Sequence, residues 1–370
     1  MNFIIEKNAL LDNLNKVSKA ITGKSTIEAL KGVLIQVMDG KIIMMGSDMD
    51  LSIIAFGVCE VIEPGSILVN AKILIDIVRK LPNDKITIQI QQDMVNISCR
   101  KSEFTIVKMD ENTYPKFPEQ QNPVDITVSK EIFKSMVGQV HFAVSQDDSR
   151  PILRGILFEI KEKMLRLVAL DGYRLAYTSN SISSDISELS AVIDGKSLYS
   201  ISRLMDNAGD VRLSVTDNHI QLKFNNVIVA SRLLEGKYIA YETLLPSESE
   251  LEITINRLQL LDAIDRCTLI TIDNPVIKIK INENKIIDVF SDSKKGKASE
   301  QLVCSDMEGS RTELDIAFNG RYLLDILNNI ECKDLIMKFK NGVSPCICCP
   351  SDNPNIKQLI LPVRLSSNNK

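Results

Sequence analysis

The chain has 370 residues, a formal net charge of −4, 44% hydrophobic and 25% charged residues, and eight cysteines. That length excludes a single ordinary domain. The lack of any apolar run of about 18 residues excludes a helical membrane span, and the acidic balance excludes a protein that grips nucleic acid by bulk charge.

Residues 2–7 read as a strand running into a helix whose inner stripe is Leu10, Leu14, Val17 and Ile21. Two strands follow at 32–37 and 42–45, and then Asp48. Val69-Asn70-Ala71-Lys72 reads as a strand end, a helix cap and a cation, because an Asn side chain accepts the orphan N–H groups of a first turn. Leu74, Ile77, Val78 and Leu81 then recur at i, i+3, i+4, i+7, the stripe of an amphipathic helix. Alternation at 86–90 and 95–99 predicts half-buried antiparallel strands.

The order then recurs. Residues 125–130 open a helix carrying Ile132, Phe133, Met136, Val137 and Val140, followed by strands at 155–160 and 165–170 and by Asp171. Ile193-Asp194-Gly195-Lys196 repeats the cap and cation before Leu198, Ile201 and Met205, with Ser202 at the remaining stripe place; 211–215 and 220–224 alternate. In the third round, 252–257 open a helix whose stripe is read as Leu258, Leu261 and Ile264, and strands at 275–279 and 286–290 precede Asp292. Phe318-Asn319-Gly320-Arg321 leads into Leu323, Ile326, Leu327 and Ile330. Lys16, Lys19, Lys130, Lys134, Arg257 and Arg266 take polar positions of the three opening helices.

The caps Asn70, Asp194 and Asn319 lie about 125 residues apart, so the chain is three copies of one unit. Each unit is strand–helix–three strands written twice, an α+β domain with two helices laid on antiparallel sheets. Clusters of Pro, Gln and Asn at 115–123 and the stretch 246–250 mark linkers, giving domains 1–124, 125–250 and 251–370.

Several motifs fail on inspection. Gly23-Lys24-Ser25-Thr26 has the end of a phosphate-binding loop, but Ser18 stands where glycine is required and a helix precedes it; Gly195-Lys196-Ser197 fails likewise at Ser190. Alternation puts Cys346 and Cys348 on one strand face and Cys349 on the other. No second cysteine pair has ligand spacing, and the only histidines are His141 and His219, so these cysteines read as small buried hydrophobes and no metal is expected. The cysteines as a whole have no disulfide framework, and Met1-Asn2-Phe3-Ile4-Ile5-Glu6 lacks the regions of a secretion signal, so a cytoplasmic location is expected. Asp171-Gly172-Tyr173-Arg174-Leu175 has no triad order, carboxylate pair or nucleotide glycine signature beside it; neither a catalytic residue nor a cofactor is expected. What duplication alone leaves unexplained is Lys72, Lys196 and Arg321, cations at helix N-termini where the dipole favours anions. Their recurrence points to a surface facing phosphate.

Four blocks carry a family resemblance: Arg150-Pro151-Ile152-Leu153-Arg154-Gly155-Ile156-Leu157-Phe158-Glu159; Leu167-Val168-Ala169-Leu170-Asp171-Gly172-Tyr173-Arg174-Leu175-Ala176; Ser231-Arg232-Leu233-Leu234-Glu235-Gly236-Lys237-Tyr238 running on to Leu245-Pro246; and Gln358-Leu359-Ile360-Leu361-Pro362-Val363-Arg364-Leu365. With them the whole chain resembles the beta subunits of bacterial DNA polymerase III, the sliding-clamp family. The resemblance implies a head-to-tail homodimer forming a six-domain ring, with helices lining the hole and double-stranded DNA inside. It implies a non-catalytic processivity factor. Its partners would be the replicative polymerase alpha subunit, the clamp loader and other proteins with clamp-binding motifs, with no membrane. A ring holds DNA by topology, so weak phosphate contacts suffice and the −4 charge is no contradiction.

By the same resemblance and the internal repeat, the DNA-facing residues are Lys24, Lys72, Arg79, Gln146, Lys196, Arg203 and Arg321. A peptide-binding groove would take Arg150, Leu153, Leu170, Gly172, Tyr173, Arg174 and Leu175 as one wall. Pro246, Val343, Ser344, Pro345, Leu359, Leu361, Pro362, Val363 and Arg364 would complete it. Chemically this is an apolar slot for Leu or Phe anchors with Arg and backbone groups for orientation. The dimer seam would join Phe104 and Ile106 to Leu269 and Ile270 of the partner. Two other readings compete: a scaffold of the same fold that recruits repair or cell-cycle proteins without encircling DNA, and an enzyme, which would need a metal or nucleotide site.

Overall fold

The computed structural model describes residues 1–23, 25–183, 186–271 and 275–364. Its α-helices are α1 (Lys7–Val17), α2 (Ala71–Lys80), α3 (Lys130–Val140), α4 (Gly195–Ser202), α5 (Arg257–Thr268) and α6 (Gly320–Asn328). Each follows a strand and is followed by three more, so the predicted order occurs six times among the described residues. Two short strands fall outside it, Glu60–Glu63 and Asp306–Gly309. They add to Asn2–Glu6 and Leu251–Asn256, the strands that open the first and third repeats.

The chain divides into two compact units, Met1–Lys134 with Ser197–Leu233, and Ser135–Lys196 with Leu234–Lys370. Their limits differ from those of the three repeats because two sheets run on from one repeat into the next. In the first unit, Val227–Arg232 pairs antiparallel with Leu51–Val58, which fuses strands of two repeats into an eight-stranded sheet. A five-stranded sheet, ending at Ser102–Val107, completes that unit. In the second, Arg174–Ser181 pairs with Ile356–Ile360 inside a nine-stranded sheet, and a four-stranded sheet ends at Gly296–Val303.

The helix stripes bury as their periodicity requires. Leu10, Leu14 and Val17 of α1, Leu74 and Val78 of α2, and Leu323, Ile326 and Leu327 of α6 are buried. Asn70 Oδ1 accepts from Ile73 N (3.1 Å) and Asn319 Oδ1 from Arg321 N (3.0 Å), the predicted caps. Ser202 sits buried in the α4 stripe because its hydroxyl donates to the Tyr199 carbonyl (2.8 Å), which removes the cost of hiding it. Gly320 follows its cap for a steric reason: a Cβ there would lie 2.7 Å from Ile277 Cγ1.

Two readings of the opening helices are corrected. Leu258 is 55% exposed; the buried stripe of α5 is Leu260, Ala263, Ile264 and Cys267, a rotation set by the Asn256 cap on Gln259 N (3.1 Å). Lys130 is not on a solvated face either. It is 4% exposed, with Nζ 2.5 Å from Asp206 Oδ1 and 2.6 Å from Asn225 Oδ1.

Lys130 belongs to a repeated device. The first residue of each opening helix is a cation, and it reaches the C-terminal end of that repeat's second helix or the residues just past it. Lys7 Nζ donates to the carbonyls of Arg79 (3.2 Å) and Leu81. Lys134 Nζ, one turn beyond Lys130, donates to the Met205 carbonyl (2.8 Å). Arg257 donates to Leu327 (2.8 Å) and Cys332 (3.0 Å) carbonyls. Terminal carbonyls lack intrahelical donors and carry the negative end of the dipole, so a cation satisfies both demands. Replacing Arg257 by Met is expected to cost about 1–3 kcal/mol by orphaning two carbonyls, read as a lower thermal midpoint. Arg266→Met, which removes a surface pair with Glu300, should leave the midpoint essentially unchanged.

Candidate docking groove and basic helix positions

The hairpin turn at Leu170–Leu175 is held by one carboxylate. Asp171 Oδ1 accepts from Tyr173 N (2.8 Å) and Arg174 N (3.0 Å), while Leu170 and Leu175 pair across the ladder. Gly172 takes φ +94°, a conformation glycine adopts without Cβ strain. The turn leaves Tyr173 62% exposed at its tip. Beneath it, Leu153, Leu170, Leu175 and Leu359 join Leu157, Val168, Val192 and Tyr241 in one apolar cluster, with Ile152, Leu234, Tyr238 and Leu245 packed against it. Four leucines from three separate stretches of sequence thus meet, because the Leu175–Leu359 register brings the C-terminal strand alongside the turn.

Arg174 does something other than line a slot. Its side chain is 10% exposed and its donors are all committed inward: Nε to Asp171 Oδ2 (3.0 Å), one terminal nitrogen to Asp325 and the other to the Phe142 carbonyl (2.7 Å). Its guanidinium lies 4.4 Å from the Tyr322 ring centroid and 5.3 Å from that of Phe142. Arg174 therefore ties the turn to α6 from below. Tyr322 also packs at 6.1 Å against Tyr173.

The remaining predicted residues are exposed or half-buried. Leu361 N donates to the Tyr173 carbonyl (2.9 Å) and Val363 N to that of Ala317 (2.7 Å), which seats the segment 361–364 beside the turn. Asn341 Oδ1 accepts from Val343 N (3.0 Å) and Ser344 N (2.8 Å), fixing a loop that presents Val343 76% exposed. Pro246 and Pro345 flank one cavity. Arg150 is exposed at the start of the short helical turn Pro151–Arg154, and Arg364 is exposed at the end of the described chain. Sequence reading overlooked Tyr322, Ile239 and Leu244. The last two are 38% and 43% exposed, on the loop whose Tyr238, Tyr241 and Leu245 enter the cluster. The signal for them was an apolar residue next to one that enters the cluster, Ile239 after Tyr238 and Leu244 before Leu245, unreadable without knowing which way the loop faces.

The first unit builds the same cradle and lines it differently. Tyr114 hydroxyl donates to the Gly32 and Met45 carbonyls, as Tyr238 does to Gly155 and Val168. Asp48 Oδ1 caps the matching turn at Asp50 N and Leu51 N. Where the second unit has Leu170 and Leu175, however, the first has Ser47 and Ser52, buried and bonded hydroxyl to hydroxyl at 2.8 Å. The two copies of the cradle therefore differ at this pair, leucine against serine.

Of the predicted phosphate-facing residues, Lys24 lies outside the described residues. Lys72, Arg79, Gln146, Lys196, Arg203 and Arg321 are all exposed. Arg79 stands 3.6 Å from Asp76, and Arg203 donates to the Tyr199 hydroxyl (3.2 Å) with its guanidinium 5.8 Å from that ring's centroid. Phe104 and Leu269 are 40% and 68% exposed, while Ile106 and Ile270 are half-buried. Cys346 and Cys348 point into the core of the second unit; Cys349 lies on the opposite strand face, where burial raises its thiol to about 11.

Family models match almost the whole chain: DNA polymerase III beta subunit N-terminal domain over residues 1–118, central domain over 127–239 and C-terminal domain over 242–364. The beta sliding clamp of Bacillus subtilis is 33% identical over 98% of this chain and 100% of its own, and that of Halalkalibacterium halodurans 32% over the same shares. The crystal structure of the Bacillus subtilis DNA polymerase sliding clamp superposes with TM-score 0.95 at 32% identity, covering 99% of this chain and 100% of that one. A putative DNA polymerase III beta subunit from Eubacterium rectale gives 0.92 at 32% identity, covering 98% and 99%.

A short synthetic peptide with leucine and phenylalanine anchors is expected to bind with one site per chain by calorimetry. Val343→Glu, a change at an exposed side chain, should weaken it about tenfold, or about 1.4 kcal/mol, with the thermal midpoint unmoved.

Proposed function

Because this chain belongs to the DNA polymerase III beta-subunit family, we propose that it is a non-catalytic processivity factor, a sliding clamp that encircles duplex DNA. The observation that carries the reading is the full-length match of a sixfold strand–helix–three-strand repeat to a solved clamp, at TM-score 0.95. In this reading the three repeats are domains 1–124, 125–250 and 251–370. Two chains join head to tail, and Lys24, Lys72, Arg79, Gln146, Lys196, Arg203 and Arg321 face the DNA.

The seam has a physical motive. Each unit ends a sheet in an open edge, Ser102–Val107 in one and Gly296–Val303 in the other, and open edges invite pairing. Phe104 on the first edge strand and Leu269 at the end of α5 are apolar and exposed. Joining unlike edges of two identical chains is a heterologous contact, and it closes into a ring when two copies complete the rotation. Cations at α2, α4 and α6 then track phosphates weakly, because a ring retains DNA without tight binding. The leucine-lined slot docks a short peptide of the polymerase alpha subunit, the clamp loader or another partner through buried apolar anchors.

Loader-assembled protein should stay on nicked circular DNA at moderate salt and leave when the circle is cut. Equal loss or equal retention on both forms would sink the ring. Leu269→Asp should sediment as a single chain and lose retention on the circle.

A further inference from the structure

Beside the leucine cluster the outer face of the nine-stranded sheet holds a cavity of about 230 Å³. It adjoins the leucine cluster: Leu245 belongs to both, Ile347 on its floor pairs directly with Leu359, and Pro246 and Pro345 border it. The floor is apolar, with Cys349 beside Ile347. Burial raises the Cys349 thiol to about 11, so it is a neutral wall and not a nucleophile.

The charges around the cavity are unevenly matched. Glu252 is satisfied, with Lys338 Nζ 2.9 Å from each of its carboxylate oxygens and Ser249 Oγ at 2.5 Å. Lys340 and Lys357 also line the cavity, and neither has an ion pair among the described residues. Lys357 Nζ rests over the Tyr177 ring at 5.8 Å, which holds the ammonium at the wall between cavity and cluster. Glu248, on the loop that covers the cavity, is the single unneutralised carboxylate of the lining. The remaining balance is positive by one charge.

We propose that this cavity is a flanking subsite of the docking groove, taking an acidic side chain that lies next to the apolar anchors of a bound peptide. The inference rests on the reading of the leucine cluster as a peptide groove. A carboxylate entering past Pro246 and Pro345 would keep its methylenes on Ile347 and meet Lys340 and Lys357 at the rim. The subsite would select among peptides that share the same anchors, adding discrimination more than affinity. Because the lysines are partly hydrated, the effect is modest and salt-dependent.

The test is calorimetry on the full chain with one anchor peptide made in several forms, carrying Glu, Gln or Lys at a position flanking either end. The expected result is that one Glu form binds about 3- to 10-fold more tightly than its Gln twin at low salt, and that high salt removes the difference. Lys340→Ala with Lys357→Ala should abolish the Glu preference while leaving the Gln form unchanged, and Glu248→Gln should enlarge it. If the peptides bind but Glu, Gln and Lys forms are equal, or Lys is preferred, the subsite is overturned and the groove stands. If no form binds, the groove reading falls and the subsite with it.

Discussion

The antiparallel ladder between Arg174–Ser181 and Ile356–Ile360 is the constraint on which the candidate site depends. Side chains alternate across a strand, so the pairing of Leu175 with Leu359 fixes both on one face; a slip of one residue would send Leu359 to the other. That register also delivers Leu361 to the Tyr173 carbonyl and places Ile347 next in line across the sheet. Arg174 secures the same corner from beneath by joining Asp171, Asp325 and the Phe142 carbonyl. The leucine cluster, the segment from Leu361 and the neighbouring cavity therefore share one backbone framework, and a change in the ladder would move all three.

Duplication supplied the framework and divergence supplied the chemistry. Both units build a tyrosine hydroxyl bridge and an aspartate-capped turn. They differ at the facing pair, Ser47–Ser52 in one and Leu170–Leu175 in the other. Two buried hydroxyls satisfied by one another present little apolar surface, whereas two buried leucines add to the apolar cluster around them. The cations divide in the same manner. Lys7, Lys130, Lys134 and Arg257 are spent on the ends of second helices and nearby groups, while Lys72, Lys196 and Arg321 reach solvent at helix starts.

Much of this was legible in the chain itself. Period 3.6 and period 2 patterns, punctuated by Asn70, Asp194 and Asn319, determined the element order and the threefold repeat, because local periodicity dictates which face of each element can be buried. Four sequence blocks pointed to the family. What the sequence left open was decided by contacts between distant residues. The helical phase that buries Leu260 and exposes Leu258, the burial of Lys130 against Asp206, the inward commitment of Arg174, and the approach of Tyr322 to Tyr173 each require knowing which strand lies beside which. A polar residue at a helix surface looks the same in sequence whether water or a carboxylate 76 positions away satisfies it. Only the tertiary structure chooses, since desolvation and hydrogen bonding depend on neighbours that chain order does not specify.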